Sequence, residues 1–186
     1  MKFRRLSILL FLVGAFSYSV FGQRQTFWDG LPKPIGHIND FEKIYTQREI
    51  GILERKVSYF EKNNRIQIVV ITFDTSHVSL NKLDSLTFRI ANYWNVGTKY
   101  GDRGVVIGIS KGHKAMFLLP GQGLNHIMTQ DVKQALMDNY FFPYYRSRRF
   151  YEGTYHGINA IMDLLETRLK SNSSNGSQVR IAHHSR

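Results

Sequence analysis

The sequence of 186 residues contains no cysteine. Disulfides therefore cannot stabilise the fold, and packing must do so instead. The same absence excludes a thioether lipid anchor and a cysteine nucleophile. The sequence also lacks a Gly-x-Ser-x-Gly elbow, a Walker phosphate loop and a helical His-x-x-x-His pair. These patterns mark serine hydrolases, nucleotide hydrolases and zinc hydrolases, so the sequence supports none of the three.

Only the amino terminus carries a long apolar run. Three basic residues precede the run from Leu6 to Phe16, and Val20-Phe21-Gly22 offers a small residue at a cleavage point. This pattern predicts a signal peptide over residues 1–22, cleaved near Gly22, and an exported protein of the periplasm or the extracellular space. A membrane anchor is the competing interpretation, but the run is shorter than the roughly 20 apolar residues that a span needs.

Acidic residues are outnumbered along the whole chain, which has a net charge of +11. Without residues 1–22, 22 Lys and Arg face 14 Asp and Glu, which leaves a charge of +8. The basic residues are scattered and form no stripe with interleaved aromatics, so the sequence does not predict nucleic-acid binding. Peripheral contact with an acidic membrane surface explains the excess better.

Hydrophobic periodicity places the elements of a domain over residues 36–170, after a short leader over 23–35. Thr46 and Glu49 form a predicted capping box at the start of the first helix. Apolar residues at helical spacing predict four helices, and β-branched or apolar runs predict three strands. The predicted helices are 46–63, 80–94, 130–140 and 152–169, and the predicted strands are 65–73, 105–110 and 114–119.

The order of these elements predicts an α/β fold, a three-layer α/β/α sandwich of Rossmann-like type. Its single sheet is mixed and mostly parallel, because the turn Lys111-Gly112-His113 joins the last two strands as a hairpin. The segment Phe141-Phe142-Pro143 is expected to break the third helix. Residues 171–186, rich in Ser, Asn, Gly and His, are expected to form a disordered polar tail.

Three polar segments stand beside the predicted strands, where open α/β sheets place ligands. They are expected to converge into one cleft: Asn39-Asp40, Asp102-Arg103-Gly104, and the turn from Gly121 to Asn125.

Five motifs along residues 36–168 make the chain resemble the TPM domain family. The family includes a thylakoid lumen protein, a photosystem II repair protein and an acetylcholine-receptor modulator. The motifs are Ile38-Asn39-Asp40-Phe41, the strand 66–72, Trp94-Asn95-Val96-Gly97 with Gly101-Asp102-Arg103-Gly104-Val105, Gly121-Gln122-Gly123-Leu124, and Pro143-Tyr144-Tyr145-Arg146 with Tyr151-Glu152-Gly153.

The resemblance implies an α/β/α sandwich with an acidic cleft that holds a divalent cation, often Ca²⁺, and in some members weak hydrolysis of phosphate monoesters. Carried over by motif, Asp40 and Asp102 are the implied metal ligands, with Asn39 and Asn125 at the binding rim. Two positions depart from the family pattern, since Asn125 replaces a common Glu and Arg103 a common Asn. Both departures reduce local negative charge, which weakens cation binding.

Each of these residues also has a structural interpretation. Asp40 can be a turn residue ahead of the first helix. Asp102 and Arg103 can form an ion pair that closes the loop. The aromatic and arginine residues from Tyr140 to Tyr151 can pack in the core or form a partner-binding surface.

Two functions follow from these observations. The first is a binding protein of the cell envelope that assists assembly or repair of a membrane complex. The alternative is a weak cation-dependent phosphatase that uses Asp102 as the catalytic residue, with Arg103 and Gly104 binding the phosphate anion. The first is favoured, because the sequence shows neither an activated nucleophile nor a paired general acid and base.

Overall fold

The computed structural model describes residue 27 and residues 30–182, with side chains up to residue 170. The predicted signal peptide lies outside this range, as does most of the predicted leader. No helix within the described range has the length and apolarity to cross a membrane.

A four-stranded mixed sheet forms the centre of the domain, in the order β1-β2-β3-β4. Its strands are β1 (Ile38–Asp40), β2 (Gln67–Thr72), β3 (Gly104–Ser110) and β4 (Ala115–Pro120). The first three are parallel and β4 runs antiparallel to β3. The predicted hairpin is therefore confirmed, and β1, only three residues long, is an additional strand that the periodicity missed.

Helices cover both faces of the sheet, which confirms the predicted three layers. Helix α1 (Gln47–Asn64) begins at the N-cap Thr46, and the capping box with Glu49 is present. It packs with the carboxyl-terminal helices on one core, which includes Leu53, Val57 and Ile107. Helix α2 (Leu83–Tyr93) covers the other face, over a second core around Ile71, Phe73 and Leu86.

The carboxyl-terminal helices differ from the prediction at Pro143. The chain passes from α3 (Gln130–Leu136) through a π-helical turn (Met137–Phe141) directly into α4 (Phe142–Tyr145). Pro143 lies in the first turn of α4, which is the part of a helix that tolerates proline best. The predicted helix break at Pro143 is therefore wrong. The π-helical turn before α4 lets the chain continue as a helix through the proline.

The last helix, α5 (Phe150–Ala182), is longer than predicted. The sequence predicts an end at Leu169 followed by a disordered tail, whereas the helical backbone continues into the polar segment. That segment contains no proline, so nothing in its backbone chemistry forces the helix to stop. Residues 183–186 lie outside the described range.

Candidate functional site

The strand register separates the residues expected to share one site. Asp40 ends β1 opposite Thr72, which is itself opposite Ile109 in β3. Asp102 precedes Gly104, the first residue of β3. With a rise of roughly 3.3 Å per residue, the five steps from Gly104 to Ile109 span about 16 Å. We call the end of the parallel strands that holds Asp40 the carboxyl edge, and the other end the amino edge.

The predicted convergence of the three polar segments is therefore wrong for Asn39-Asp40. It is right for Asp102-Arg103-Gly104 and the turn from Gly121 to Asn125. At the amino edge, Gly121 N donates to Gly104 O at 2.8 Å, and Gly123 N donates to Asp102 O at 3.2 Å. The approach is so close that a Cβ on Gly121 would lie 2.2 Å from Asp102 O. A single cation cannot bind both Asp40 and Asp102 across the sheet.

Asp40 acts as a turn residue in this structure. Its Oδ1 accepts from Ile44 N at 3.1 Å and from Thr72 Oγ1 at 2.6 Å, and its Oδ2 accepts from Tyr45 N at 2.9 Å. Both carboxylate oxygens are thus used by the protein's own donors. These contacts are those of a turn residue ahead of the first helix, which is the structural interpretation of Asp40 given above.

Asn39 is a structural residue as well, because its side chain is completely buried. Its Oδ1 accepts from Ile35 N at 2.7 Å and its Nδ2 donates to Gly36 O at 2.9 Å. These bonds fold the segment before β1 back on itself. Asn39 therefore lies below the surface and not at a binding rim.

Among the described residues, Asp102 and Arg103 form no ion pair with each other. Asp102 is exposed, has a left-handed backbone (φ 57°), and its carboxylate makes no contact among the described residues. Arg103 is half-buried, and its Nη2 donates to Asn64 O at 3.2 Å while its Nε is buried without a partner. Gly104 is buried against the backbone of Val96, so it offers no open site to an anion. Asn125 is exposed on the neighbouring turn.

A cluster of titratable residues at the amino edge was not found from the sequence. His37 Nδ1 lies 2.5 Å from Glu54 Oε1, and His37 Nε2 lies 2.5 Å from Glu61 Oε2. Glu61 Oε1 also contacts Lys99 Nζ at 2.7 Å and Tyr100 OH at 3.0 Å. We call these five residues the His37 cluster; it joins β1, helix α1 and the loop that carries Asp102.

The charges within the His37 cluster are mutually dependent. Burial alone lowers the pKa of His37, but the carboxylates of Glu61 and Glu54 outweigh it and the pKa is raised. Burial raises the pKa of both glutamates, but hydrogen bonds from His37 to Glu54, and from Lys99 and His37 to Glu61, lower them overall. A cationic imidazole between two anionic carboxylates is the favoured state.

A cavity with a volume of about 1060 Å³ opens at the carboxyl edge. It lies between the ends of β1 and β3 on one side and the bend from α4 to α5 on the other. Five basic side chains line it and no acidic side chain does. We call it the basic–aromatic cleft; its basic residues are Lys43, Lys111, Lys114, Arg146 and Arg148, and its aromatic residues are Phe142, Tyr145 and Phe150.

The wall of the cleft at Tyr145 is polar but uncharged. The Oγ1 of the buried Thr154 lies 2.6 Å from Tyr45 OH and 2.7 Å from Tyr145 OH. Burial raises the pKa of both tyrosines, so both hydroxyls stay protonated. The charge of the cleft therefore comes from its basic rim.

The sequence contained a signal for this cleft in the segment from Tyr140 to Tyr151. Its aromatic and arginine residues predicted either core packing or a partner surface, and the structure divides the segment between the core and the rim of the cleft. Phe141 is fully buried, whereas Arg146 and Arg148 are exposed at the cleft. What the sequence could not show was that Lys43, Lys111 and Lys114 face the same cavity.

The donor set does not fit the calcium ion that the family resemblance implies. Calcium needs six to eight oxygen ligands, with carboxylates close together. Asp40 has both oxygens occupied, Asp102 lies at the other edge, and position 125 supplies no carboxylate. Within the described ranges, no group of three or more His, Asp or Glu side chains is arranged to hold a metal.

Comparisons with known proteins agree on the fold. The model of the TPM domain family, described as TPM_phosphatase, matches residues 38–164. A solution structure of the N-terminal domain of a P. gingivalis protein is 16% identical with a TM-score of 0.64, and covers 72% of this chain and 84% of that one. The BA42 protein of Bizionia argentinensis is 18% identical with a TM-score of 0.56, covering 68% and 85%. The curated proteins include no significant match.

Proposed function

The chain belongs to the TPM domain family, and we propose that it is an exported accessory protein that binds a partner in the cell envelope. In that role it assists assembly or repair of a membrane complex, as the favoured interpretation of the sequence holds. The basic–aromatic cleft is the observation that carries the proposal, because it is a large concave site lined by five basic side chains and no acidic one. Ligands of open α/β sheets bind at this edge, outside the carboxyl ends of the strands.

The state of the basic residues supports a binding role for the cleft. Within the described ranges, none of the five basic side chains lining it makes an ion pair. All five are exposed. The Glu42 carboxylate offsets part of the positive charge at Lys111. The positive charge that remains at the rim favours an acidic partner.

The geometry gives no comparable support to the phosphatase alternative. That mechanism requires Asp40 and Asp102 to act on one phosphate, and the strand register places them at opposite edges of the sheet. Arg103, the proposed phosphate ligand, uses its guanidinium to bind Asn64 O. We expect no phosphate-monoester turnover that is sensitive to Asp102→Asn.

Photo-crosslinking in intact cells tests the binding function. A benzophenone amino acid replaces Phe150 at the cleft, and a matched control replaces Phe88, which is 57% exposed on the opposite face of the sheet. We expect subunits of an envelope membrane complex to crosslink at position 150 and not at position 88. Identical products at both positions, or none at position 150, would contradict the proposal.

The same cells test export. Mass spectrometry of the protein from the envelope fraction should give an amino terminus near Gln23, as the signal peptide predicts. An intact Met1 in the cytosolic fraction would overturn the envelope assignment.

A further inference from the structure

Two carboxylates beside the cleft hold its basic loops in place. Asp40 fixes the turn that carries Lys43 through its bonds to Ile44 N and Tyr45 N. Glu42 accepts from Lys111 N at 2.7 Å and Gly112 N at 2.9 Å, which fixes the hairpin turn. Both acids are thus directed at the backbone and neither lines the cleft. The acidic residues of this edge position the basic ones.

The backbone conformation of three basic residues at the cleft also indicates a binding site. Lys43, Lys114 and Arg148 all have left-handed backbones, with φ of 55°, 52° and 59°. Long side chains are uncommon in this region, which glycine or asparagine occupies at lower cost. Left-handed residues of this kind concentrate at binding sites. Here all three carry a positive charge to the same cavity.

The chemistry of the cleft distinguishes among anions. A single inorganic phosphate would leave most of a cavity of about 1060 Å³ unfilled. The hairpin N–H groups that could cradle a phosphate are already bound to Glu42. The basic groups come from two sides of the cleft, from the loops of the sheet and from the segment after α4, so they suit several spaced charges. Phe142, Phe150 and the ring of Tyr145 add an aromatic wall.

We infer that the ligand of the basic–aromatic cleft is an acidic peptide segment of a partner protein, with carboxylates on the basic rim and an apolar side chain against the aromatic wall. This inference rests on the proposed binding function and specifies the chemistry of the partner. Complementary charge gives such a complex a fast, salt-sensitive association, and the aromatic contact lengthens its lifetime.

Fluorescence anisotropy with a synthetic peptide tests the inference. The probe is a short fluorescein-labelled peptide of glutamates around one tryptophan, and the matched peptides replace either the glutamates by glutamine or the tryptophan by serine. We expect the first peptide to bind, more weakly as salt rises, and each replacement to weaken binding by about tenfold or more. Equal binding of the glutamine peptide would overturn the inference.

Protein variants locate the binding site. The double variant Arg146→Glu with Lys111→Glu should abolish peptide binding. The matched charge reversal Arg55→Glu with Lys62→Glu lies on α1 away from the cleft, and it should change the peptide affinity by no more than about twofold.

Arg148→Gly relieves a left-handed backbone. It should raise the melting temperature while weakening the peptide complex, so its loss of binding cannot be due to unfolding.

Competing ligands complete the test. Inorganic phosphate and vesicles of phosphatidylglycerol are titrated against the bound peptide, with phosphatidylcholine vesicles as the neutral control. Displacement by millimolar phosphate would assign the cleft to a small anion, and binding to anionic vesicles with none to the peptide would assign it to a membrane surface. Either result would overturn the peptide inference. If crosslinking at position 150 still gave an envelope partner, the proposed function would survive that failure.

Discussion

His37 shows how a single side chain can join three elements of the fold. It lies before β1, contacts two carboxylates of α1, and through Glu61 reaches Lys99 and Tyr100 of the loop at the amino edge. Ser58, between the two glutamates on α1, adds a contact to His37 Nδ1 at 3.3 Å. The groups that face the imidazole are therefore mostly acidic, with one lysine behind them.

This environment predicts a pH-dependent stability. The pKa of His37 is raised on folding, so its contribution is complete below the unfolded value of about 6.5 and is lost as pH rises through the folded pKa. The lowered pKa values of Glu54 and Glu61 make their contribution complete above about 4.5 and lost as pH falls. The cluster should stabilise the domain most between about pH 5 and 6.5.

Urea unfolding of His37→Gln measures this effect. At about pH 6 we expect the variant to be less stable than the natural protein by about 1 kcal/mol, allowing for the partial exposure of the cluster. The difference should shrink at about pH 9, where the imidazole is neutral in both states. His126→Gln, at an exposed turn, is the control and should show no such change. A difference that stays constant with pH would refute the ionic role of His37.

Asp40 and Asp102 should respond differently to the same substitution. Asp40→Asn removes an acceptor from Ile44 N, Tyr45 N or Thr72 Oγ1, so we expect a loss of about 1–2 kcal/mol in the free energy of unfolding. Asp102→Asn should change stability by less than about 0.5 kcal/mol, because the side chain is exposed and asparagine tolerates a left-handed backbone. Thermal melting of both variants checks this, and equal losses would show that Asp102 has a structural partner.

Among the elements, α1 was the most predictable from sequence. Its helical spacing and the Thr46–Glu49 capping box placed its start at the N-cap that the structure has. Strand β1 was missed because three residues are too few for a periodic pattern to emerge. It exists because Ile38 and Asn39 are buried beside β2, which is a tertiary effect. The proline in α4 was misjudged for a similar reason, since a π-helical turn cannot be recognised from local propensity.

The contact between the π-helical turn and α5 allows a test with two glycines in helices. A Cβ at Gly157 of α5 would lie 2.0 Å from the ring of the fully buried Phe141, so Gly157→Ala should destabilise the domain by about 1–3 kcal/mol. Gly51 of α1 is matched to it, because its Cβ would meet only the flexible Arg55 side chain at 3.6 Å. Gly51→Ala should stabilise by up to about 1 kcal/mol. Chemical unfolding of both variants checks the pair, and effects of the same sign would disprove the tight contact at Phe141.

For the whole molecule, sequence reasoning found the layers of the fold and misplaced part of the candidate site. The residues after one parallel strand and before the next lie at opposite edges of a sheet, and this rule separates Asp40 from Asp102. The sequence did not show that β1 is a strand, so Asp40 was not recognised as a strand end. The rule therefore could not be applied to Asp40 from the sequence alone. The cleft needed the tertiary structure, since its basic residues come from three separate segments of the chain.

The effect of calcium on thermal stability tests the metal site that the family resemblance implies. Because no two of the matched carboxylates meet, we expect about 1 mM Ca²⁺ to raise the melting temperature by less than about 1 °C. A site of about 10 µM affinity would instead add about 2.7 kcal/mol at that concentration. Calorimetric titration of the natural protein and of Asp102→Asn measures this. A stabilisation lost in the variant would restore Asp102 as a metal ligand.

The wide spacing of the two sheet edges makes this domain suitable for attachment to a surface. A linker attached at the exposed Asp102 or Asn125 would tether the domain by its amino edge. The cleft, at the other end of the strands, would then face solvent. Substitutions that alter ligand preference at the cleft should also leave the His37 cluster unchanged, since residues this far apart act additively. The two ends of the sheet can therefore be engineered, or can diverge in evolution, independently of each other.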